Sequence, residues 1–325
     1  MGWGRMAAVV GLTFAVIGSG LAPTERQVIP VERPRVVPDR GYPSVETAAE
    51  LRWAVLASAR EQLRPRSAEL APVATACAGG SNSVLSVADA SAPGGRRAVW
   101  VHHPPGPDRS DLPVLYLLHG FPADPSTLAG GSLPGRLDQE MCRTGRPFVL
   151  AVPDGRAGGL DTEWGDDAAG RFAVETFVTG QAVALVEGPV RRPAGLRAIA
   201  GFSMGGYGAA ALALRHPDEY RQVAAFGGYF RIDDPDNVFR GSPAAHSPDR
   251  LLGAAGGQRY FLVEGRDEHS ALQHGSIRGE ADRFAAALRS HQVTVAVSHP
   301  PGGHGNDAWY PQLGAMVDFL DSGWS

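Results

Sequence analysis

The residues best suited to chemistry form one pentapeptide, Gly201-Phe202-Ser203-Met204-Gly205. It has the form Gly-x-Ser-x-Gly, in which the serine stands at the apex of a sharp turn between a strand and a helix. The glycines leave room where side chains would collide with the packed strand and helix. The motif by itself also fits an ordinary turn in a chain with 42 glycines. An apolar strand before it and small helical residues after it predict a nucleophile, with an oxyanion bound at the helix N-terminus.

A serine nucleophile needs a base, and a histidine in a late loop is the expected candidate. His304 follows the last predicted strand and has a glycine on each side, which frees its loop to enter a site. The chain order serine, acid, histidine favours His304 over its rivals His269, His274, His291 and His299. Of these, His291 falls at a predicted helix end and His299 at a strand–loop junction, which indicates structural or exposed side chains.

The acid that orients the histidine is expected in a loop after another strand. Residues 260–268 begin as an apolar strand and end in an acidic loop, in which Gly265 can turn the chain. Asp267 is the predicted acid, because it lies just beyond the turn. Glu264 and Glu268 remain alternatives, since a slip of one residue is not resolved by the sequence.

Two backbone N–H groups are predicted to bind the oxyanion. Gly120 bends the chain after a buried strand, so the N–H of Phe121 can face the site. The N–H of Met204, directly after the nucleophile, is the second donor. Losing one such donor typically costs about a hundredfold or more in rate.

Three side chains are predicted to bind substrate. His119 precedes Gly120 at the strand end, although a surface histidine at a plain turn fits the same pattern. Asp161 and Trp164 belong to an acidic loop with one aromatic residue, a composition that can line a pocket for a sugar or a polar acyl group. Such a loop is also compatible with a surface segment that buries its tryptophan.

The elements that must position these residues alternate between strands and helices. Strands are predicted at 84–87, 98–102, 113–119, 148–152, 196–200, 223–226, 260–263 and 293–297. Helices are predicted at 173–185, 205–216, 277–290 and 308–321. The first two strands form an antiparallel pair, and the rest predict a mostly parallel, doubly wound sheet with helices on both faces. The site then lies at the carboxyl ends of the strands. Loops 122–146 and 229–258 are expected to supply the pocket walls, with 230–250 as a lid or rim.

The N-terminal part of the chain carries no candidate chemistry. Residues 1–22 contain one arginine and then an apolar run that ends in small residues, as in a secretory signal peptide. An uncleaved membrane anchor is the alternative. Residues 23–80 combine a proline-rich linker with an amphipathic helix, and the catalytic domain is predicted over 81–325.

Composition excludes several function classes. A net charge of −4 without a basic stripe argues against a nucleic-acid partner. Cys77 and Cys142 fit one disulfide in an oxidising compartment as well as two buried thiols. Neither has the spacing of a metal ligand, and the pair His102-His103 lacks a third ligand. We therefore expect no metal and no cofactor.

Taken together, five segments resemble a known family: YLLHGF at 116–121, VPDG at 152–155, DTEW at 161–164, GFSMGG at 201–206 and GGH at 302–304. From about residue 81 to 322 the chain resembles the α/β-hydrolase esterases that include S-formylglutathione hydrolases, feruloyl-type esterases and the secreted mycobacterial mycolyltransferases. The resemblance implies a triad of Ser203, Asp267 and His304, with Phe121 and Met204 as the oxyanion hole. The acid loop is one residue tighter than is common in that family, so the resemblance also leaves Asp267 and Glu268 open.

The expected function is therefore a secreted or envelope-bound serine esterase. Its partner is an ester or acyl-sugar substrate, with contact to the membrane or cell envelope through the N-terminus, and the oligomeric state is left open. One alternative is an acyltransferase that moves an acyl group to a cell-envelope sugar. A second is an inactive envelope-binding protein on the same fold.

Overall fold

The computed structural model of the protein describes residues 78–106 and 111–324. The leader predicted over 1–22 lies outside the described residues, as does the linker and helix predicted over 23–80, apart from residues 78–80. Within the described ranges, no helix combines the length and the apolar character that crossing a membrane requires.

Eight strands form one sheet. They are β1 (Ser81–Ala88), β2 (Arg96–His103), β3 (Val114–Leu118), β4 (Val149–Pro153), β5 (Arg197–Phe202), β6 (Gln222–Phe226), β7 (Arg259–Val263) and β10 (Thr294–Ser298), whereas β8 (Ala271–Leu272) and β9 (Gly275–Ser276) form a separate hairpin. The order across the sheet is β1-β2-β4-β3-β5-β6-β7-β10. β2 pairs antiparallel with both β1 and β4, and all other neighbours are parallel. The predicted strands and the mostly parallel sheet are confirmed, and only the small hairpin was not expected.

The central strands are apolar along their whole length because both of their faces are covered. In β3, Tyr116 and Leu118 pack into the apolar cluster on one face, and Leu115 and Leu117 pack into the cluster on the other. Side chains alternate along a strand, so one continuous apolar run supplies two cores.

Helices lie on both faces of the sheet. Their bounds are α1 (Pro125–Ala129), α2 (Leu133–Thr144), α3 (Val174–Thr176), a π-helical turn (Phe177–Ala182), α4 (Val183–Glu187), α5 (Met204–Arg215), α6 (Glu280–Ser290), α7 (Asn306–Trp309) and α8 (Leu313–Asp321). Short 3-10 turns occupy Pro93–Gly95, Ala194–Leu196, Pro243–His246, Pro248–Arg250, Leu252–Ala254 and Tyr310–Gln312. The segment from α3 to α4, together with α5 and α6, packs on one face, and α1, α2, α7 and α8 pack on the other. The layered arrangement that the sequence predicts is therefore present.

Two of the predicted helices are interrupted and two others were missed. Residues 173–185 contain the π-helical turn, and residues 308–321 contain a 3-10 turn at Pro311. Residues 122–146 were expected to be loop, and this is wrong, since they hold all of α1 and α2. In α2 the buried Leu133, Leu137 and Met141 recur every fourth residue, but a proline in its first turn and flanking glycines obscure the pattern.

The segment expected to form a lid or rim, residues 230–250, is irregular chain that packs on α5. The hydroxyl of Tyr207 in α5 donates to the His246 carbonyl at 2.9 Å. Phe230, Val238 and Phe239 are buried in the apolar core. These contacts join the segment to the helix that follows Ser203.

Two glycines lie where helix α5 packs so closely against strands β5 and β3 that no side chain fits. A Cβ atom on Gly201 would lie 2.0 Å from the carbonyl oxygen of Gly205, and one on Gly205 would lie 2.2 Å from the carbonyl oxygen of Leu118. Both obstacles are backbone atoms, which cannot rotate aside. The glycines of the motif therefore set how closely the helix approaches the neighbouring strand.

Gly205→Ala is accordingly expected to lower the free energy of unfolding by about 1–3 kcal/mol or more, because overpacking usually costs this much. Gly135→Ala is the matched control, because Gly135 is exposed within α2 and an added Cβ meets nothing within 4 Å. It is expected to stabilise by about 0.5–1 kcal/mol, since alanine favours a helix over glycine. Urea unfolding curves measure both effects. Unchanged stability of Gly205→Ala would contradict the close contact.

Candidate active site

Ser203 occupies the turn between β5 and α5 in a conformation that residues with a side chain rarely adopt. Its φ is 57° and its ψ is −120°. Its N–H donates to the carbonyl of Phe226, at the end of β6, at 2.8 Å. Backbone strain of this kind costs on the order of 1–3 kcal/mol and persists only where the surrounding packing imposes it. The predicted sharp turn is therefore present, with the serine at the carboxyl end of the central strand.

His304 lies beside this serine, in the loop between β10 and α7. Its Nε2 is 2.8 Å from Ser203 Oγ. Its ring packs edge-on against Trp309, with the ring centroids 5.0 Å apart. A Cβ atom on Gly227 would come within 3.0 Å of the imidazole, so the glycine after β6 makes room for the base. This position is the one expected for His304.

The rival histidines make no comparable contact. His299 and His274 face carboxylates of helix α6, with nitrogen–oxygen distances of 3.0 and 3.7 Å. His269 and His291 are exposed.

The structure corrects the acid, because Glu268 and not Asp267 lies against the imidazole. Glu268 Oε2 is 2.5 Å from His304 Nδ1, and Oε1 accepts the Ser270 N–H at 2.8 Å. The Glu268 side chain is fully buried. Burial by itself raises the pKa of Glu268, but the interaction with His304 and the hydrogen bonds from His304 and Ser270 outweigh it and hold the pKa below its usual value. The carboxylate is thus ionised at neutral pH.

Asp267 joins two loops instead. Its N–H donates to the Gly302 carbonyl at 3.0 Å, and its Oδ2 accepts the Gly302 N–H at 3.3 Å. The third acid considered, Glu264, accepts two backbone N–H groups at the start of α6, at 2.6 and 3.1 Å. Only Glu268 among the three therefore orients the base.

The peptide between Gly120 and Phe121 is oriented by His119. His119 Nε2 accepts the Gly155 N–H at 3.0 Å, so the ring proton resides on Nδ1, which donates to the Gly120 carbonyl at 3.0 Å. Burial lowers the pKa of His119, which keeps the ring neutral, as this pairing requires. The C=O and the following N–H of a trans peptide point in opposite directions. The Phe121 N–H therefore points away from His119.

Phe121 and Met204 border the same pocket, as expected of two oxyanion donors. Its volume is about 250 Å³, and its other walls include Pro93, Leu160 and Arg156. Met204 is the first residue of α5, so its N–H belongs to the first helical turn, whose N–H groups have no partner within the helix. The N–H groups of Phe121 and Met204 are thus candidate donors at the edge of one pocket.

Trp164, predicted to bind substrate, is instead fully buried. Its Nε1–H donates to the His119 carbonyl at 3.2 Å, and the two rings lie 4.8 Å apart. A Cβ atom on Gly155 or on Gly208 would lie within 2.7 Å of the indole. Trp164 therefore separates α5 from the loop after β4 and supports His119.

Asp161 is also buried and lies outside the pocket, so its predicted role in substrate binding is corrected too. Its N–H donates to Asp236 at 2.7 Å. Both carboxylate oxygens of nearby Glu163 lie 2.7 Å from the Tyr229 hydroxyl. Burial raises the pKa of Asp161 and of Glu163. The nearby charge of Asp236 raises the pKa of Asp161 further, and the charge of Asp161 raises that of Glu163. These residues form a buried support beneath the site.

Two further expectations concern cysteines and metals. Cys142 is disulfide-bonded, which was one of the two alternatives that the sequence left open. Cys77, the chain's other cysteine, lies outside the described residues. Across residues 78–106 and 111–324, no group of three or more His, Cys, Asp or Glu side chains is arranged to hold a metal ion. His102 instead pairs with Asp138, at 2.8 Å.

Comparison with known proteins places the chain among esterases. The family model described as "Putative esterase" matches residues 90–320. Esterase MT1326 of Mycobacterium tuberculosis (strain CDC 1551 / Oshkosh) is 32% identical over 118 residues, which are 36% of this chain. The match spans only 25% of that relative's length.

Several solved structures share the fold. A ferulic acid esterase superposes with a TM-score of 0.64 at 21% identity, covering 76% of this chain and 99% of that one. An S-formylglutathione hydrolase from Agrobacterium tumefaciens gives 0.63 at 17% identity, covering 77% and 98%. Mycobacterium tuberculosis MPT51 (FbpC1) gives 0.57 at 22% identity, covering 71% and 95%. The fold is the α/β-hydrolase fold.

The raised pKa of Glu163 predicts a pH effect on stability. The folded protein holds the Glu163 proton at pH values where the unfolded chain has lost it, so stability falls as pH rises above about 4.3, the usual pKa of glutamate. Glu163→Gln retains an oxygen for the Tyr229 hydroxyl and removes this loss. Its melting temperature relative to wild type is expected to rise between pH 4 and pH 8, on the order of several degrees. A difference independent of pH would contradict the raised pKa.

Proposed function

The chain belongs to the esterase family whose model matches residues 90–320, and from this premise we propose that it is a serine esterase that hydrolyses carboxylic esters through an acyl-enzyme on Ser203. The observation that carries the proposal is the hydrogen-bonded series from Ser203 Oγ through His304 to Glu268, with distances of 2.8 and 2.5 Å. A serine, a base and a buried acid in this order are the parts that nucleophilic acyl transfer needs.

In the proposed reaction, Ser203 Oγ attacks the ester carbonyl while His304 Nε2 takes the hydroxyl proton. The N–H groups of Phe121 and Met204 stabilise the oxyanion. Collapse of the tetrahedral intermediate breaks the bond to the alcohol oxygen, which receives the proton from His304 and leaves. Water then attacks the acyl-enzyme, with His304 as base, and releases the carboxylic acid and the free serine. No cofactor or metal takes part.

Glu268 acts through His304 and not on the substrate. Its carboxylate accepts the Nδ1–H, which directs Nε2 towards Ser203 and stabilises the imidazolium after proton transfer. The lowered pKa of Glu268 supports this role, because the carboxylate stays ionised at neutral pH.

Export to the cell exterior or envelope, with contact there through the N-terminus, is part of the proposal. The leader-like residues 1–22 and the disulfide at Cys142 support an oxidising compartment. N-terminal sequencing of the mature protein tests this. A full-length chain recovered from the cytoplasm would contradict export.

Acyl transfer to a sugar differs only in the acceptor that takes the acyl group from Ser203. Product analysis with excess sugar distinguishes the two, since hydrolysis yields free acid alone. An inactive binding protein is the least supported alternative, because a strained serine backbone is retained together with its base and acid.

Ser203→Ala is expected to abolish hydrolysis of p-nitrophenyl esters, with a loss of at least about a thousandfold in kcat, because no covalent intermediate can form. The melting temperature is expected to stay close to that of wild type. Chromogenic assays and labelling with a fluorophosphonate probe measure the effect. Retained hydrolysis in the variant would place the activity elsewhere.

Two isosteric variants test which acid serves. Glu268→Gln is expected to lower kcat by about a hundredfold or more, because an amide neither fixes the required imidazole tautomer nor stabilises its charged form. Asp267→Asn, the matched control one residue earlier, is expected to change kcat by less than about tenfold, since Asp267 only joins two loops. The reverse order of effects would restore Asp267 as the acid.

A further inference from the structure

The pocket beside Phe121 and Met204 lies on the acyl side of the proposed reaction. The leaving oxygen must come within hydrogen-bond reach of His304 Nε2, which returns the proton. The pocket is lined by the oxyanion donors and by no described residue of the His304 loop. The part of an ester that extends away from the leaving oxygen, the acyl group, is therefore the part that enters it.

Arg156 is the one charged side chain among the described residues that line this pocket. Its Nε and Nη2 pair with the two carboxylate oxygens of Asp154 at 2.9 and 2.7 Å, and its Nη1 pairs with Asp124 at 3.0 Å. Both aspartates line a second pocket together with Arg156, and neither of them lines this one. The three side chains together carry a net charge of −1.

A negatively charged acyl group would gain little from Arg156. It would approach one positive charge closely and two negative charges slightly farther away, and because Coulomb energy falls only as the inverse of distance, attraction and repulsion nearly cancel. The cost of removing the anion from water then stays uncompensated. The remaining walls include Pro93, Phe121 and Leu160, which offer an anion no charge.

We infer that this pocket selects esters of uncharged acyl groups, and that Asp124 and Asp154 set this selectivity by neutralising Arg156. The inference rests on the proposed esterase activity and extends it to the class of substrate. The pocket has a volume of about 250 Å³. Hydrolysis of an uncharged six-carbon ester shows whether a chain of this length fits, so that rejection of a charged ester of the same length reports charge and not length.

The test compares three p-nitrophenyl esters on the full-length protein: the hexanoate, the adipamate and the monoadipate. The adipamate ends in a neutral amide and the monoadipate in a carboxylate of the same shape, so the ratio of their kcat/KM values isolates charge. Wild type is expected to favour the adipamate by at least about tenfold, and the hexanoate is expected to be a good substrate.

Two variants move the selectivity in opposite directions. Asp124→Asn retains a residue that caps α1, because asparagine and aspartate serve equally as N-caps, and it frees part of the Arg156 charge. The preference for the adipamate is expected to shrink by about fivefold or more. Arg156→Gln removes the positive charge that opposes both carboxylates and is expected to enlarge the preference for the adipamate. Because each ratio is measured within one variant, a general loss of activity cancels.

Asp218→Asn is the matched control. It removes the same charge from an exposed site beyond the end of α5 that is remote from Ser203, and its ratio is expected to equal that of wild type. Hydrolysis of monoadipate within twofold of adipamate by wild type, or equal ratios for Asp124→Asn and Asp218→Asn, would overturn the inference while leaving the esterase activity in place. Failure to hydrolyse all three esters, together with no labelling of Ser203, would instead overturn the proposed function and this inference with it.

Discussion

The close contact between Gly205 and the backbone of strand β3 is the constraint on which the site depends. A Cβ atom there would lie 2.2 Å from the Leu118 carbonyl oxygen, so helix α5 can rest against the sheet only if this position has no side chain. The helix then begins immediately after Ser203, whose φ of 57° is imposed by the short path from strand to helix. The same approach brings the first turn of α5 beside Phe121, which follows β3. One steric condition thus sets the serine and both N–H groups.

The remaining parts reach the serine through two loops that are joined to each other. The loops after β7 and β10 share the hydrogen bonds between Asp267 and Gly302, and a Cβ atom on Gly265 would lie 2.4 Å from the Gly302 carbonyl oxygen. Because β7 and β10 are parallel neighbours, their loops leave the sheet at the same edge. Asp267 holds the loops together, and Glu268 can therefore turn inwards to His304. The exposed acid has a structural role, and the buried acid faces the base.

Buried polar groups define the geometry on the oxyanion side. His119 uses both ring nitrogens and its carbonyl, towards Gly155, Gly120 and Trp164. Each bond would be costly to leave unmade in this buried environment, so the Gly120–Phe121 peptide has one preferred orientation. Arg156 lines the same pocket, but Asp124 and Asp154 neutralise its charge already in the absence of substrate. The fixed orientation of the Gly120–Phe121 peptide and the neutralised charge of Arg156 together limit what the pocket can bind.

The eight strands, the layered α/β arrangement and the positions of Ser203 and His304 could be predicted from the sequence, because apolar runs, glycine spacing and chain order are local signals. Helix α2 was missed because proline and glycine obscure its buried face, and the acid was wrong by one residue. Asp267 and Glu268 are both acids in the same loop, and only the contact of that loop with Gly302 determines which of them faces His304. Asp161 and Trp164 were expected at the surface of the pocket, but tertiary packing buries them beneath it. By itself the sequence determined the elements and the nucleophile, whereas the tertiary structure decided the acid and the pocket walls, because these depend on contacts between segments distant in the chain.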